Sequence, residues 1–132
     1  MPAPVFHRKD AGFVFQAGGY MAPVVDDVLP EQKAVNGPIP LEIRVSNVRG
    51  TVAMARSNAL NSATSEFFIN LVDNSFLDFS NGGYAAFGYL TDMSLVGEMA
   101  QAPCESSLVT QGNQLGCLPV PNLVITSAVQ TR

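Results

Sequence analysis

Residues 61–72 read Asn61-Ser62-Ala63-Thr64-Ser65-Glu66-Phe67-Phe68-Ile69-Asn70-Leu71-Val72. A small, polar approach gives way to a run of aromatic and β-branched side chains, the composition of a pleated and partly buried strand, so a strand is expected over 67–72. Comparable runs, each bounded by Gly, Pro or Asn, recur on both sides. They predict strands over 12–16, 41–45 and 51–56 upstream, and over 84–90 and 123–129 downstream. Six short strands in this spacing imply a mainly β domain, either a barrel or a sandwich. One short helix is expected from Asp92 to about Ala100. Asp92 can accept from the open amides of the first turn, and Met93, Val96 and Met99 follow at helical spacing. Gly97 weakens that helix and Pro103 ends it. The span 23–40 holds four prolines and is expected to be irregular.

The chain has 132 residues, 47% of them apolar, which suits a single domain over 1–132. No apolar run reaches the roughly 18 residues of a membrane-spanning helix. The start, Met1-Pro2-Ala3-Pro4-Val5, has neither the basic nor the hydrophobic stretch of a signal peptide. Neither a membrane span nor an intact signal peptide is therefore expected. The formal net charge is −4 and unevenly spread: residues 1–56 hold six Lys and Arg against five acids, while residues 57–132 hold only Arg132 against six acids. A nucleic-acid binder needs clustered cations to displace counterions from phosphates, and no such cluster occurs.

One histidine, His7, and two cysteines, Cys104 and Cys117, cannot assemble a familiar zinc site, so no metal is expected. The cysteines flank a polar loop, and a bridge closing it would stabilise by about 3 kcal/mol. Such a disulfide favours an oxidising compartment, periplasmic or secreted; the alternative is two free thiols in a cytoplasmic protein. A Cys-His hydrolase has little support, because neither cysteine lies in a nucleophile motif. The Gly18-Gly19 and Gly82-Gly83 pairs read as turns or close backbone approaches, since no phosphate-binding spacing surrounds them.

Several blocks together are more specific. They are Phe6-His7-Arg8, Gly12-Phe13-Val14-Phe15-Gln16-Ala17-Gly18-Gly19-Tyr20, Arg49-Gly50-Thr51-Val52-Ala53-Met54-Ala55-Arg56, the stretch Asn61 to Asn70, and Gly83-Tyr84-Ala85-Ala86-Phe87-Gly88. In this order they resemble the cyclophilin family of peptidyl-prolyl isomerases, and the acidic, tryptophan-free version with Tyr84 resembles its bacterial members. The resemblance implies an eight-stranded antiparallel β-barrel with two helices. Against that pattern the chain is incomplete at the N-terminus, because the family's first two strands and first helix precede Phe-His-Arg. A fragment, a segment supplied by another chain and a natural short variant are the three explanations. An open barrel edge recruits strands, so a homodimer or a complementing N-terminal segment is an expected partner.

The resemblance also assigns roles. Arg8 occupies the position of the catalytic arginine. Phe13, Met54, Phe68 and Leu77 match the walls of a proline pocket. Gln16 matches a glutamine that bonds a substrate carbonyl, and Ala55 and Arg56 match the stretch whose backbone pairs with the bound peptide. Phe76 stands where many members have tryptophan and Tyr84 where many have histidine, so weakened cyclosporin binding is expected. Without the surrounding blocks, Arg8 reads as a surface cation and the apolar residues as core. His7 reads as a structural neighbour of Arg8.

Three departures from the family pattern matter. Lys9 and Asp10 replace apolar residues, which costs the strand there buried surface or turns it to water. Glu66 replaces a glutamine and, when ionised, only accepts hydrogen bonds. Pairing of Glu66 with Arg8 or Arg56 is expected; if with Arg8, Glu66→Gln would raise activity or leave it unchanged. The implied function is isomerisation of X-Pro bonds in proline-containing peptides and unfolded proteins, without cofactor. The alternative is a catalytically weak or inactive proline-peptide binding module.

Overall fold

Strands β1 (Pro4–Asp10), β2 (Val14–Met21), β3 (Thr51–Met54), β4 (Phe67–Asn70) and β5 (Ala86–Tyr89) form one antiparallel sheet in the order β1-β2-β4-β3-β5. The computed structural model describes residues 4–10, 12–21, 32–43, 45–99, 101, 104–105, 109–110, 113–114, 118–119, 123 and 125. Among these residues the sheet does not close on itself, and one α-helix, α1 (Ser94–Met99), packs against it. Two small ribbons follow: β6 (Cys104–Glu105) pairs with β9 (Leu118–Pro119), and β7 (Val109–Thr110) with β8 (Asn113–Gln114). Cys117 and the side chain of Cys104 lie outside what is described, and so does their pairing.

Side chains directly opposite one another across an antiparallel pair share a face. Phe15 opposes Ile69, Ala17 opposes Phe67 and Ile69 opposes Val52. This inner face packs with Phe6, with Val96 and Met93 around α1, and with Leu123 and Ile125. Phe6 and Phe15 stack with ring centroids 4.1 Å apart. On the outer face Gln16 opposes Phe68 and Phe68 opposes Ala53. There Val14, Ala53, Phe68, Leu77 and Ala86 form a second apolar cluster.

Strand β1 breaks the simple alternation. Phe6 pairs with Ala17 but Arg8 pairs with Gln16, so two steps along β1 match one step along β2. The extra residue is His7, and the resulting bulge turns Phe6 to the inner face and Arg8 to the outer one. The mixed sequence Pro4-Val5-Phe6-His7-Arg8-Lys9-Asp10 therefore shows no period of two, which is why it did not stand out among the expected strands. Lys9 and Asp10 do not end the strand; they pair with Phe15 and Val14.

Among the described residues of 41–45 the expected strand does not form. Residues 41–43 have no regular structure, Val45 makes a single bridge to Ala86, and residue 44 is not described. Side chains divert the local amides: Asn61 Oδ1 accepts from Leu41 N–H (2.9 Å) and Asp78 Oδ1 from Asn47 N–H (2.8 Å). Of 123–129, Leu123 and Ile125 bond to the β1 backbone through Phe6 N–H to Leu123 O (2.9 Å) and Ile125 N–H to Pro4 O (2.8 Å). The helix begins at Ser94, with Asp92 Oδ1 accepting from Ser94 N–H at 2.9 Å. Where described, the span 32–40 is irregular apart from bridges Gln32 to Tyr20 and Ile39 to Ala63.

A buried polar network ties the loop before β3 to the end of β4. Asn70 Nδ2 donates to Asn47 Oδ1 (3.1 Å) and Thr51 Oγ1 (2.9 Å), and Asn74 Nδ2 donates to Asn70 Oδ1 (2.9 Å) and Phe13 O (3.0 Å). Asp78 ends the short 3-10 turn Ser75–Asp78 and accepts from Ser46 Oγ (2.5 Å), Asn47 N–H (2.8 Å) and Asn47 Nδ2 (2.9 Å). Desolvation acts against its charge, but the bonds from Ser46 and Asn47 outweigh it and hold the carboxyl below its ordinary 3.8.

Phe15 is fully buried, so Phe15→Ala is expected to cost about 3–5 kcal/mol in urea unfolding. Asp78→Ala leaves its donors unpaired and is expected to cost about 2 kcal/mol near neutral pH. A depressed carboxyl stabilises fully above its unfolded value and loses that contribution as pH falls through the lower folded value. The gap between wild type and Asp78→Ala should therefore narrow below pH 3.8, as read by unfolding at neutral and acid pH.

Candidate active site

The outer face of the sheet carries a cleft of about 380 Å³ lined by Arg8, Phe13, Val14, Gln16, Ala55, Arg56, Phe68, Leu77 and Tyr84. Alternation on β2 and β4 delivers Val14, Gln16 and Phe68 to this face, and the bulge at His7 adds Arg8. The 3-10 turn supplies Leu77, whose carbonyl accepts from Tyr84 N–H at 2.9 Å. Asn47 Nδ2 holds the Tyr84 carbonyl (3.0 Å), so the buried polar network also fixes this wall. Phe68 meets Tyr84 edge-on, with centroids 6.0 Å apart. Phe13 stacks on Phe76 at 5.9 Å, and Phe76 itself forms an exposed lip.

Two guanidinium groups border the cleft in different ways. Arg56 lies over the Tyr84 ring, 4.5 Å from its centroid, and donates to the carbonyls of Gly83, Asn81 and Ser57. That cation braces the wall. Arg8 is partly exposed; it donates through Nη1 to Gln16 Oε1 (3.2 Å) and pairs through Nη2 with Asp10 Oδ2 (3.4 Å). An arginine carries five N–H donors, so these two bonds leave it capacity for a ligand.

Most residues implied by the resemblance converge here, with two corrections. Met54 opposes Phe67 and so faces inward; it lines a separate cavity with Ile39, Pro40, Leu41 and Ala85. Val14 lines the cleft in its place, a role legible from its alternation with Gln16 on β2. Glu66 pairs with neither Arg8 nor Arg56. Its Oε1 accepts from Gln16 Nε2 at 2.8 Å and lies 3.2 Å from His7 Nε2. The His7 hydrogen bond chiefly lowers the Glu66 carboxyl below its ordinary 4.5, against the effect of burial and with further help from His7 charge and the Gln16 bond. Ala55 N–H already donates to Glu66 O (2.9 Å), so that amide is committed within the fold.

His7 is 5% exposed, with its ring edge-on to Tyr20 at 5.0 Å. Its partnership with Glu66 was not apparent from the chain, because the two lie far apart in sequence. Gly18 and Gly19 are the close approaches their pairing suggested. Gly18 has φ +95° and sits against the Ser65 carbonyl, and a Cβ on Gly19 would stand 2.8 Å from Glu66 Cδ. Among the described residues no group of three or more His, Cys, Asp or Glu gathers as a metal would require.

Comparison with known proteins points to one family. Residues 3–128 match the family model for cyclophilin type peptidyl-prolyl cis-trans isomerase/CLD. The chain is 42% identical over 97 residues to peptidyl-prolyl cis-trans isomerase B of Escherichia coli (strain K12), covering 72% of this chain and 56% of that protein. It is 39% identical over 107 residues to peptidyl-prolyl cis-trans isomerase A of Dickeya dadantii (strain 3937), covering 77% and 53%. The chain thus spans about half the length of these curated relatives. Peptidyl-prolyl cis-trans isomerase cyp18 of Streptomyces antibioticus is 37% identical over 131 residues, covering 94% of this chain and 73% of that one. A crystal structure of a Cryptosporidium parvum cyclophilin type peptidyl-prolyl cis-trans isomerase, determined in the presence of the dipeptide Ala-Pro, superposes with TM-score 0.60 at 23% identity, covering 96% of this chain and 76% of that one. Family match, identity and shared fold agree, and the chain belongs to the cyclophilin-type peptidyl-prolyl cis-trans isomerase family.

Proposed function

We propose that the protein catalyses cis–trans rotation about X-Pro bonds in exposed segments of unfolded or flexible proteins, without cofactor or metal. The observation that carries this reading is a guanidinium, Arg8, held with Gln16 at the side of a cleft whose apolar part is made by Phe13, Val14, Phe68 and Leu77.

Rotation must break amide resonance, a barrier of about 18–20 kcal/mol, and needs no nucleophile. In the twisted state the nitrogen regains a lone pair and the carbonyl dipole shrinks. A slot that seats the proline ring, with a donor aimed at that nitrogen, binds the twisted amide better than either planar form. A guanidinium carries five N–H donors in a planar fork, and Arg8 keeps part of that fork for the cleft. Gln16 retains a second amide hydrogen for a substrate carbonyl. Even a thousandfold acceleration requires about 4 kcal/mol, within reach of one well-placed charged donor.

Arg8→Ala is expected to lower kcat/KM about a hundredfold in a protease-coupled assay on a proline-containing peptide. Arg8→Lys should restore little, because a point charge does not reproduce the planar fork. Turnover unaffected by either change overturns the mechanism, and peptide binding without turnover marks a binding module instead. The spacing of Cys104 and Cys117 supports an internal bridge and with it an oxidising compartment. Thiol labelling followed by mass spectrometry should find both cysteines blocked until reduction; two labelled thiols before reduction overturn that assignment.

A further inference from the structure

We propose that Glu66 is a positioning residue for Arg8, acting through the side-chain amide of Gln16, with His7 holding the carboxylate in place. The catalytic consequence rests on the isomerase reading; the geometry of the relay does not.

An ionised carboxylate only accepts and a guanidinium only donates, whereas a glutamine amide does both and can be turned either way. Glu66 Oε1 stands 2.8 Å from Gln16 Nε2, so Gln16 must present its NH2 there. Its Oε1 then faces Arg8, which donates from Nη1 at 3.2 Å. Acceptor on one side and donor on the other select the same amide orientation. The flipped amide would set oxygen against carboxylate and NH2 against guanidinium. With Asp10 on the far side of Arg8 at 3.4 Å, the guanidinium is held from two directions.

The carboxylate is itself fixed. His7 Nε2 lies 3.2 Å from the same Oε1, and against an accept-only partner that nitrogen must carry a proton. The imidazole is buried and rests on Tyr20, so it offers a rigid donor. Gly19 leaves the strand bare where Glu66 crosses it. A glutamine at position 66 would accept as well as donate, and Gln16 would lose one of the two constraints on its orientation. The carboxylate at position 66 removes this ambiguity, and Glu66→Gln should slow turnover, opposite to the expectation from a Glu66–Arg8 pair.

A double-mutant cycle of Glu66→Gln and Gln16→Leu tests the relay, with kcat and KM measured separately and folding checked by urea unfolding. In the wild-type background Glu66→Gln is expected to lower kcat roughly tenfold with KM little changed. In the Gln16→Leu background it should have no further effect, because the path runs through that amide. An unchanged kcat, or the same loss in both backgrounds, overturns the proposal. Nitrogen NMR of the Arg8 guanidinium gives a second readout that needs no turnover. Separate Nη signals in the wild type that merge in Glu66→Gln support the positioning; identical spectra overturn it. If the wild type shows no turnover, the isomerase reading falls and the guanidinium spectra alone decide the relay.

Discussion

A single extra residue in β1 governs the arrangement of the site. In a regular strand Phe6 and Arg8, two apart, would point the same way, and either the aromatic would leave the core or the cation would enter it. The bulge at His7 resolves that conflict: Phe6 opposes Ala17 and joins the inner face, while Arg8 opposes Gln16 and joins the outer one. The displaced residue is not idle. His7 turns into the fold, where it meets Glu66 and Tyr20. Core packing and site geometry are thus set by one irregularity in strand register.

The sheet then serves two purposes on its two faces. Inner side chains of β2, β3 and β4 pack under α1, and outer side chains of the same strands floor the cleft. A one-residue shift of β4 against β2 would exchange the faces and remove Phe68 from the cleft along with Ile69 from the core. The remaining wall is anchored by polar groups. Asn47, Thr51, Asn70 and Asn74 are buried and mutually bonded, and Asp78 ends the chain of contacts with its three donors. Satisfied buried polar networks of this kind fix one geometry, since any other leaves groups unpaired in a low dielectric. The Tyr84 carbonyl is one of the groups so held, and Arg56 presses on the ring of the same residue.

Charge is placed by the same logic. Along the line Asp10, Arg8, Gln16, Glu66 and His7, each acceptor faces a donor, and the neutral amide in the middle takes its orientation from the charges on either side. Two cations border the cleft, yet their roles differ. Arg56 is engaged by backbone carbonyls and an aromatic face, whereas Arg8 is engaged by side chains that leave part of its fork unspent.

Periodicity and composition in the chain itself determined the mainly β class, the strands around 51–56, 67–72 and 84–90, the short helix after Asp92 and Gly18 as a close backbone approach. The blocks around Arg8, Phe13, Gln16 and Phe68 also named most of the residues that meet in the cleft. Face assignments were readable only where alternation is unbroken, as on β2, where Val14 follows from Gln16. What tertiary structure alone decided were the features that depend on register between distant segments. These are the bulge that separates Phe6 from Arg8, the inward turn of Met54 opposite Phe67, the loss of a strand near Leu41 to side-chain acceptors, and the choice of His7 rather than an arginine as partner of Glu66. The physical reason is common to all four. A residue's type limits which bonds it can make, but which partner lies within 3 Å is set by how strands align, and a one-residue offset in that alignment changes every partner beyond it.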